Sequence, residues 1–383
     1  MVRRAYWIER VERAWRARSV VWLAGVRRVG KTYLCRSLVD VDYFDCELPR
    51  TRRLLDDPEG FLGELRGRRV VLDEVHRLPN PSELLKIAAD HFPDTPVLAT
   101  GSSTLEATAK FRDTLAGRKE TVWLTPMLLS DLAAFGNADL GHRFLHGGLP
   151  PFFLADELPE RDFQEWMDAY WAKDIQELFR LERRASFQRF AELLFAQSGG
   201  MFEATRFANP CEVSRQTITN YLAALEATFV VHVVRPFSAR RATEIVAAPK
   251  VYGFDTGFVC YHRGWSALRP DDMGPLWEHL VLNEIHGRLQ HRGIRYWRSK
   301  RGAEVDFVLP RRGAGPIAVE CTWTAASFEG RALAAFRHLY PEGVSFVVAR
   351  DVDAPYVRTH RGVPVHFVSL DDLIDRLAGE RLA

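Results

Sequence analysis

Residues 20–38 read VVWLAGVRRVGKTYLCRSL. A β-branched apolar run, assigned as a strand over 19–23, meets the pattern G-x-x-x-x-G-K-T at Gly25–Thr32. A helical pattern then runs over 31–39. Strand, glycine-framed loop and helix in that order form the context in which this motif binds phosphate. Gly25 and Gly30 permit the turns that aim successive backbone N–H groups of Val26, Arg27, Arg28 and Val29 at phosphate oxygens. Lys31 places a point charge at the β- and γ-phosphates, and the Thr32 hydroxyl is a magnesium ligand. The helix beginning at the loop adds the positive end of its dipole. ATP and Mg2+ are the expected cofactors.

Working outward, GRRVVLDEVHRL ends an apolar strand, 69–72, on the acidic pair Asp73 and Glu74. Ligands of open α/β sheets bind at the carboxyl ends of strands. Asp73 is expected to hold the magnesium and Glu74 to orient and deprotonate the attacking water. The next apolar strand, 96–100, runs into Thr100, Ser102 and Ser103, which are placed to sense the γ-phosphate. A plain strand-to-loop turn is the alternative. Arg118, just before the strand 120–124, is a candidate arginine finger toward a neighbour's nucleotide, and Arg27 and Arg28 are candidates for related work in cis. Strands alternating with helices at 31–39, 58–65 and 81–92 predict βαβ units and a parallel sheet.

The bulk numbers set bounds. At 383 residues, with 47% hydrophobic and 27% charged, two or three domains with cores of their own are expected. A formal net charge of +2 does not advertise a nucleic-acid binder. The five cysteines, Cys35, Cys46, Cys211, Cys260 and Cys321, are scattered and never spaced C-x-x-C, as reduced thiols would be. No apolar run approaches the ~18–20 residues of a bilayer span. The first residues lack an apolar signal region. A soluble, cytoplasmic chain without membrane contact is expected.

A turn-rich stretch around 135–151 marks a domain boundary, and 157–226 is helical in pattern. Within it, Ser214 is placed to cap a helix with Ile218, Leu222 and Leu225 facing a core and Arg215, Gln216, Thr217 and Asn220 facing water. Strands at 229–234 and 250–254 follow, with Arg235, Arg240 and Arg241 between or near them. The set looks like a helix-turn-helix with a two-stranded wing, a module that contacts DNA or docks proteins. From there the order is helix 274–290, strands 295–298, 304–309 and 317–321, helix 327–340, strands 344–349 and 365–368, and helix 370–377. This order resembles the PD-(D/E)XK nuclease fold. The resemblance puts Glu278, Asp306 and Glu320 at a metal site that activates water. Thr322 stands where that fold's E-x-K signature has lysine, and Lys300 on the neighbouring hairpin is the candidate substitute.

Across almost its whole length the chain also resembles a family of AAA-type ATPases that carry a C-terminal domain of unknown function. The marks, in order, are GVRRVGKT, VLDEVHRL, ATGSS followed by LAGR, GGLP, KVYGFDTG, GPLWEHLVLNEI and YWRSKRGAEVDF. Val26 stands where the family often has Pro, and Tyr33 where it often has Thr; neither removes a phosphate-binding group. The resemblance implies the roles read above for Lys31, Thr32, Asp73 and Glu74.

The expected architecture is therefore α/β: a P-loop NTPase parallel sheet in residues 1–135, a helical, winged-helix-like middle in 136–249, and a PD-(D/E)XK-like α/β domain in 250–383. The expected activity is Mg-dependent ATP hydrolysis coupled to the C-terminal modules. Three purposes compete: a DNA-binding ATPase, an ATP-dependent nuclease, and a slow signalling switch acting on a protein partner. Self-association is a further open partner.

Overall fold

The computed structural model describes residues 2–101, 109–176, 183–238 and 248–382. The chain divides into two compact units, residues 1–185 with 220–230, and residues 186–219 with 231–383. The stretch 136–249, expected as a middle domain, contributes to both.

Unit 1 is built on five strands: β1 (Val20–Ala24), β2 (Val41–Asp45), β3 (Arg69–Asp73), β4 (Val97–Thr100) and β5 (Lys119–Trp123). They lie in the order β2-β3-β4-β1-β5, and every neighbouring pair is parallel. Covered on both faces, such strands read as continuous apolar runs, and β1 is buried at all five positions. Val20 pairs with both Val97 and Lys119, so β1 sits between β4 and β5. The loop after β1 thus opens at the carboxyl edge of the sheet. The helix Ala5–Ala17 buries Trp7, Val11, Ala14 and Trp15, positions spaced to fall on one helical face.

Unit 2 carries β6 (Gly200–Met201), β7 (Val231–Pro236), β8 (Lys250–Gly253), β9 (Arg295–Arg298), β10 (Glu304–Arg311), β11 (Ala314–Thr322), β12 (Ser345–Ala349), β13 (Tyr356–His360) and β14 (Val363–Val368). They form one mixed sheet, β13-β14-β12-β11-β10-β9-β7-β8-β6. Val305, Val308, Ala318, Leu333, Phe336, Val347 and Phe367 share its core. The helix Pro270–Leu289 begins four residues before the expected start, because Asp272 accepts from the Arg269 backbone N–H and caps it.

One expectation changes in unit 2. The strands read as a free wing pair with each other, but β7 also pairs in parallel with β9 and β8 with β6, so both are interior strands of the large sheet. Largely buried valines make β7 a core strand rather than an exposed ribbon. Arg240 and Arg241 lie outside the described residues. The helix Arg215–Ala227 does bury Ile218, Leu222 and Leu225, and Ser214 Oγ accepts from the Thr217 N–H at 3.1 Å. Among the described residues no helix is long and apolar enough to cross a membrane.

Candidate functional site

The loop Gly25–Thr32 is shaped by its glycines. Gly25 has φ +152°, and a Cβ there would stand 2.6 Å from the Leu124 carbonyl oxygen. Gly30, at φ +104°, is the left-handed residue that starts the helix Lys31–Ser37. Val26 and Val29 turn their side chains into the core, leaving their backbone to face the loop. Lys31 Nζ donates to the carbonyls of Gly25 at 2.8 Å and Val26 at 3.2 Å, which centres the ammonium in the loop. Burial pulls the Lys31 pKa below its ordinary value, against the opposing charges of Glu74, Asp174 and Asp73.

Asp73 and Glu74 arrive from β3, two strands from β1. Asp73 is buried at the strand end, with Tyr43 donating to Oδ2 at 2.6 Å and Thr100 donating to Oδ1. The Thr100 hydroxyl also accepts from the Glu74 N–H at 3.0 Å. Thr100 is fully buried, so its hydroxyl serves the acidic pair. Ser102 and Ser103 lie outside the described residues. Glu74 takes a left-handed conformation, φ +59°, which swings its carboxylate out of line with the strand to meet His76 Nδ1 at 3.0 Å. Burial alone would raise the Glu74 carboxyl. The His76 hydrogen bond and the Lys31 charge outweigh it and hold the group below the usual carboxylate range.

Lys31, Thr32, Glu74 and the loop arginines border a cavity of about 920 Å³. Thr32 and Asp73 offer a hydroxyl and a carboxylate, hard oxygen donors of the kind that fit Mg2+. Arg118 is elsewhere. It directly precedes Lys119, which pairs with Val20 at the amino end of β1, so it lies at the edge of the sheet opposite the loop. There Nε meets Asp90 at 2.8 Å.

Several contacts escaped the sequence reading because only packing brings them to the loop. Arg4 is buried, donating to Val29 O at 3.1 Å and to Asp131 Oδ2 at 2.6 Å. The Trp166 indole donates to Arg27 O at 3.0 Å. Arg27 Nε faces Asp174 Oδ2 at 3.4 Å, and Arg28 faces Asp162 at 3.5 Å. No spacing rule announces any of them.

In unit 2, Glu278 accepts from Lys250 Nζ at 3.0 Å and from the Tyr252 hydroxyl. Lys250 also donates to Glu304 at 2.7 Å, and Asp306 Oδ2 accepts from the Cys321 N–H at 2.8 Å. Burial, then the Glu278 charge, raises Asp306 to about 8. Burial and Asp306 push Glu320 up as well. Lys250, from β8, is a cation bonded within the cluster, and Arg298 also reaches Glu304 at 3.4 Å. The exposed Lys300 lines a cleft that Glu304, Glu320 and Thr322 also border. Among the described residues no three His, Cys, Asp or Glu side chains are spaced to hold a metal ion.

Comparison with known proteins matches residues 17–133 to an AAA domain. Residues 137–269 and 273–367 match two domains of unknown function, DUF8612 and DUF4143. Two uncharacterized proteins, Mb2031c of Mycobacterium bovis and Rv2008c of Mycobacterium tuberculosis, are each 30% identical over 317 residues, covering 79% of this chain and 70% of their own length. Among solved structures, a Walker-type ATPase of Pyrococcus abyssi is 16% identical with a TM-score of 0.46, over 69% of this chain and 96% of its own. A DNA polymerase III gamma subunit-related protein of Thermotoga maritima is 11% identical with a TM-score of 0.26, over 58% of this chain and 97% of its own. The chain belongs to the family of the mycobacterial proteins, and its residues 17–133 form a P-loop ATPase domain of the AAA type.

Proposed function

We propose that unit 1 binds ATP with Mg2+ in the Gly25–Thr32 loop and hydrolyses it, and that the nucleotide state is passed to the rest of the chain. The observation that carries this reading is Lys31 centred in its loop, sharing one cavity with Glu74 at the carboxyl edge of a parallel sheet. The backbone N–H groups of the loop and the Lys31 ammonium bind and orient the phosphates. Thr32 and Asp73 would hold Mg2+, which neutralises charge on the phosphate oxygens when bound. Glu74, kept ionised by His76 and Lys31, orients the attacking water and takes its proton. Thr100 and Tyr43 keep Asp73 and Glu74 in position through hydrogen bonds.

Arg118, paired with Asp90 at the far edge, enters this scheme only as a finger offered to a neighbouring copy. The nuclease reading of unit 2 is weakened by Thr322, which supplies no cation at the position where one is needed. The Glu278–Lys250–Glu304 network supports a structural or binding role for that unit instead.

The test is nucleotide binding and phosphate release by purified full-length protein. Wild type binds ATP and turns it over, Lys31→Ala loses binding, and Glu74→Gln keeps binding while losing turnover. Equal ATP affinity in wild type and Lys31→Ala removes the basis of the reading. Running the same assay with and without duplex DNA, beside a cleavage gel, separates the DNA-stimulated, nuclease and DNA-indifferent purposes.

A further inference from the structure

The helix that begins at Glu160 holds the phosphate loop at three points. Asp162 faces Arg28, the Trp166 indole donates to the Arg27 carbonyl, and Asp174 faces the Arg27 guanidinium. Its inner face is locked by Trp166 stacked on Tyr170, and the Tyr170 hydroxyl meets Thr228. At Trp171–Ile175 the helix changes to a π-turn, a rare form concentrated at functional sites. Asp174 lies inside that turn. It is buried, and it borders the same cavity as Lys31 and Glu74.

Glu74, Asp174 and the loop cations Arg27, Arg28 and Lys31 therefore border one cavity. Glu74 has work there, toward the attacking water. Asp174 has none, and a buried carboxylate next to a triphosphate is a like-charge contact that disfavours binding. Its link to Arg27 is a 3.4 Å approach by Nε alone, without the paired fork geometry that makes such bridges strong. Lys31 also feels the Asp174 charge.

Resting on the ATPase reading above, we propose that Arg27 exchanges partners with nucleotide state: it holds Asp174 until a γ-phosphate arrives, then turns to the phosphate and releases the π-turn. Asp174 is thus a positioning residue, acting through Arg27.

Calorimetry on the full chain with Mg2+ and either ADP or adenylyl-imidodiphosphate tests the exchange. Asp174→Asn removes the competing charge while keeping the shape. The triphosphate analogue should then gain about tenfold over ADP relative to wild type, within the usual range of coupling between sites. Hydrogen exchange of residues 171–176 supplies a readout that packing alone would not move. In wild type those amides exchange faster with the analogue than with ADP, and in Asp174→Asn the difference disappears. Should Asp174→Asn fail to fold, Arg27→Gln serves instead, and it should lose the preference for triphosphate over ADP. A Kd ratio within about twofold of wild type, in whichever variant folds, overturns the exchange. Absence of any ATP affinity in wild type would instead overturn the ATPase reading, and this inference with it.

Discussion

Replacing Thr100 with Val removes one hydroxyl and nothing else of size. In the native site that hydroxyl donates to Asp73 and accepts from the Glu74 N–H, in a position fully shielded from water. A hydrogen bond to a charged carboxylate contributes about 1.5–3 kcal/mol and a neutral one about 0.5–1.5. The variant also strands the Glu74 N–H, so an overall loss of about 2–4 kcal/mol follows. For a domain of ~150–250 residues each kcal/mol shifts the melting temperature by about 2–4 °C, so unit 1 should melt roughly 5–15 °C lower. Because Asp73 and Glu74 both lose a positioning contact, kcat should fall by at least about tenfold while ATP affinity changes less. Thr100→Ser, which keeps the hydroxyl, should recover most of both effects. Differential scanning calorimetry with steady-state phosphate release decides the matter. A Thr100→Val protein that melts and turns over like wild type refutes the idea that this residue sets the acidic pair.

Two further outcomes test separate parts of the structure. Arg4→Ala leaves Asp131 buried without its cation and should cost about 3–5 kcal/mol in denaturant unfolding, whereas Arg4→Met with Asp131→Leu should recover most of it; equal losses in both variants would refute this account. Asp306 titrates near 8 in the folded chain against about 3.9 unfolded, so the native state holds the proton more tightly between those values. Asp306 should therefore make stability fall as pH rises from about 4 to about 8. Asp306→Asn should flatten that slope in thermal scans, and an unchanged slope would show that another group carries it.

What could be read in advance follows a physical line. The β1–loop–helix unit was legible because G-x-x-x-x-G-K-T demands glycine at two turns and lysine at one charge position. The parallel strands were legible because burial on both faces leaves only apolar residues. Strand β13 was not. Tyr356–His360 is an exposed edge whose residues show no apolar face, and it exists by pairing with β14, with Tyr356 stacked on Phe367. Lys250 escaped for a different reason. At the head of β8 it reads as a surface lysine, and only sheet order carries it to Glu278 and Glu304. Asp174, Trp166, Arg4 and Tyr43 likewise reach the loop or its acids from elements distant in sequence, so periodicity could not announce them.

The path of the chain has its own consequence. Unit 1 is finished by residues 220–230, which are synthesised only after 186–219 have been given to unit 2. Phe229 packs on Trp123, 106 positions earlier, and Thr228 closes on Tyr170. A ribosome that has released the first 185 residues has therefore delivered an ATPase still lacking part of its own wall. Cutting the gene there would excise a domain with an open seam, its Trp123 and Tyr170 left without Phe229 and Thr228.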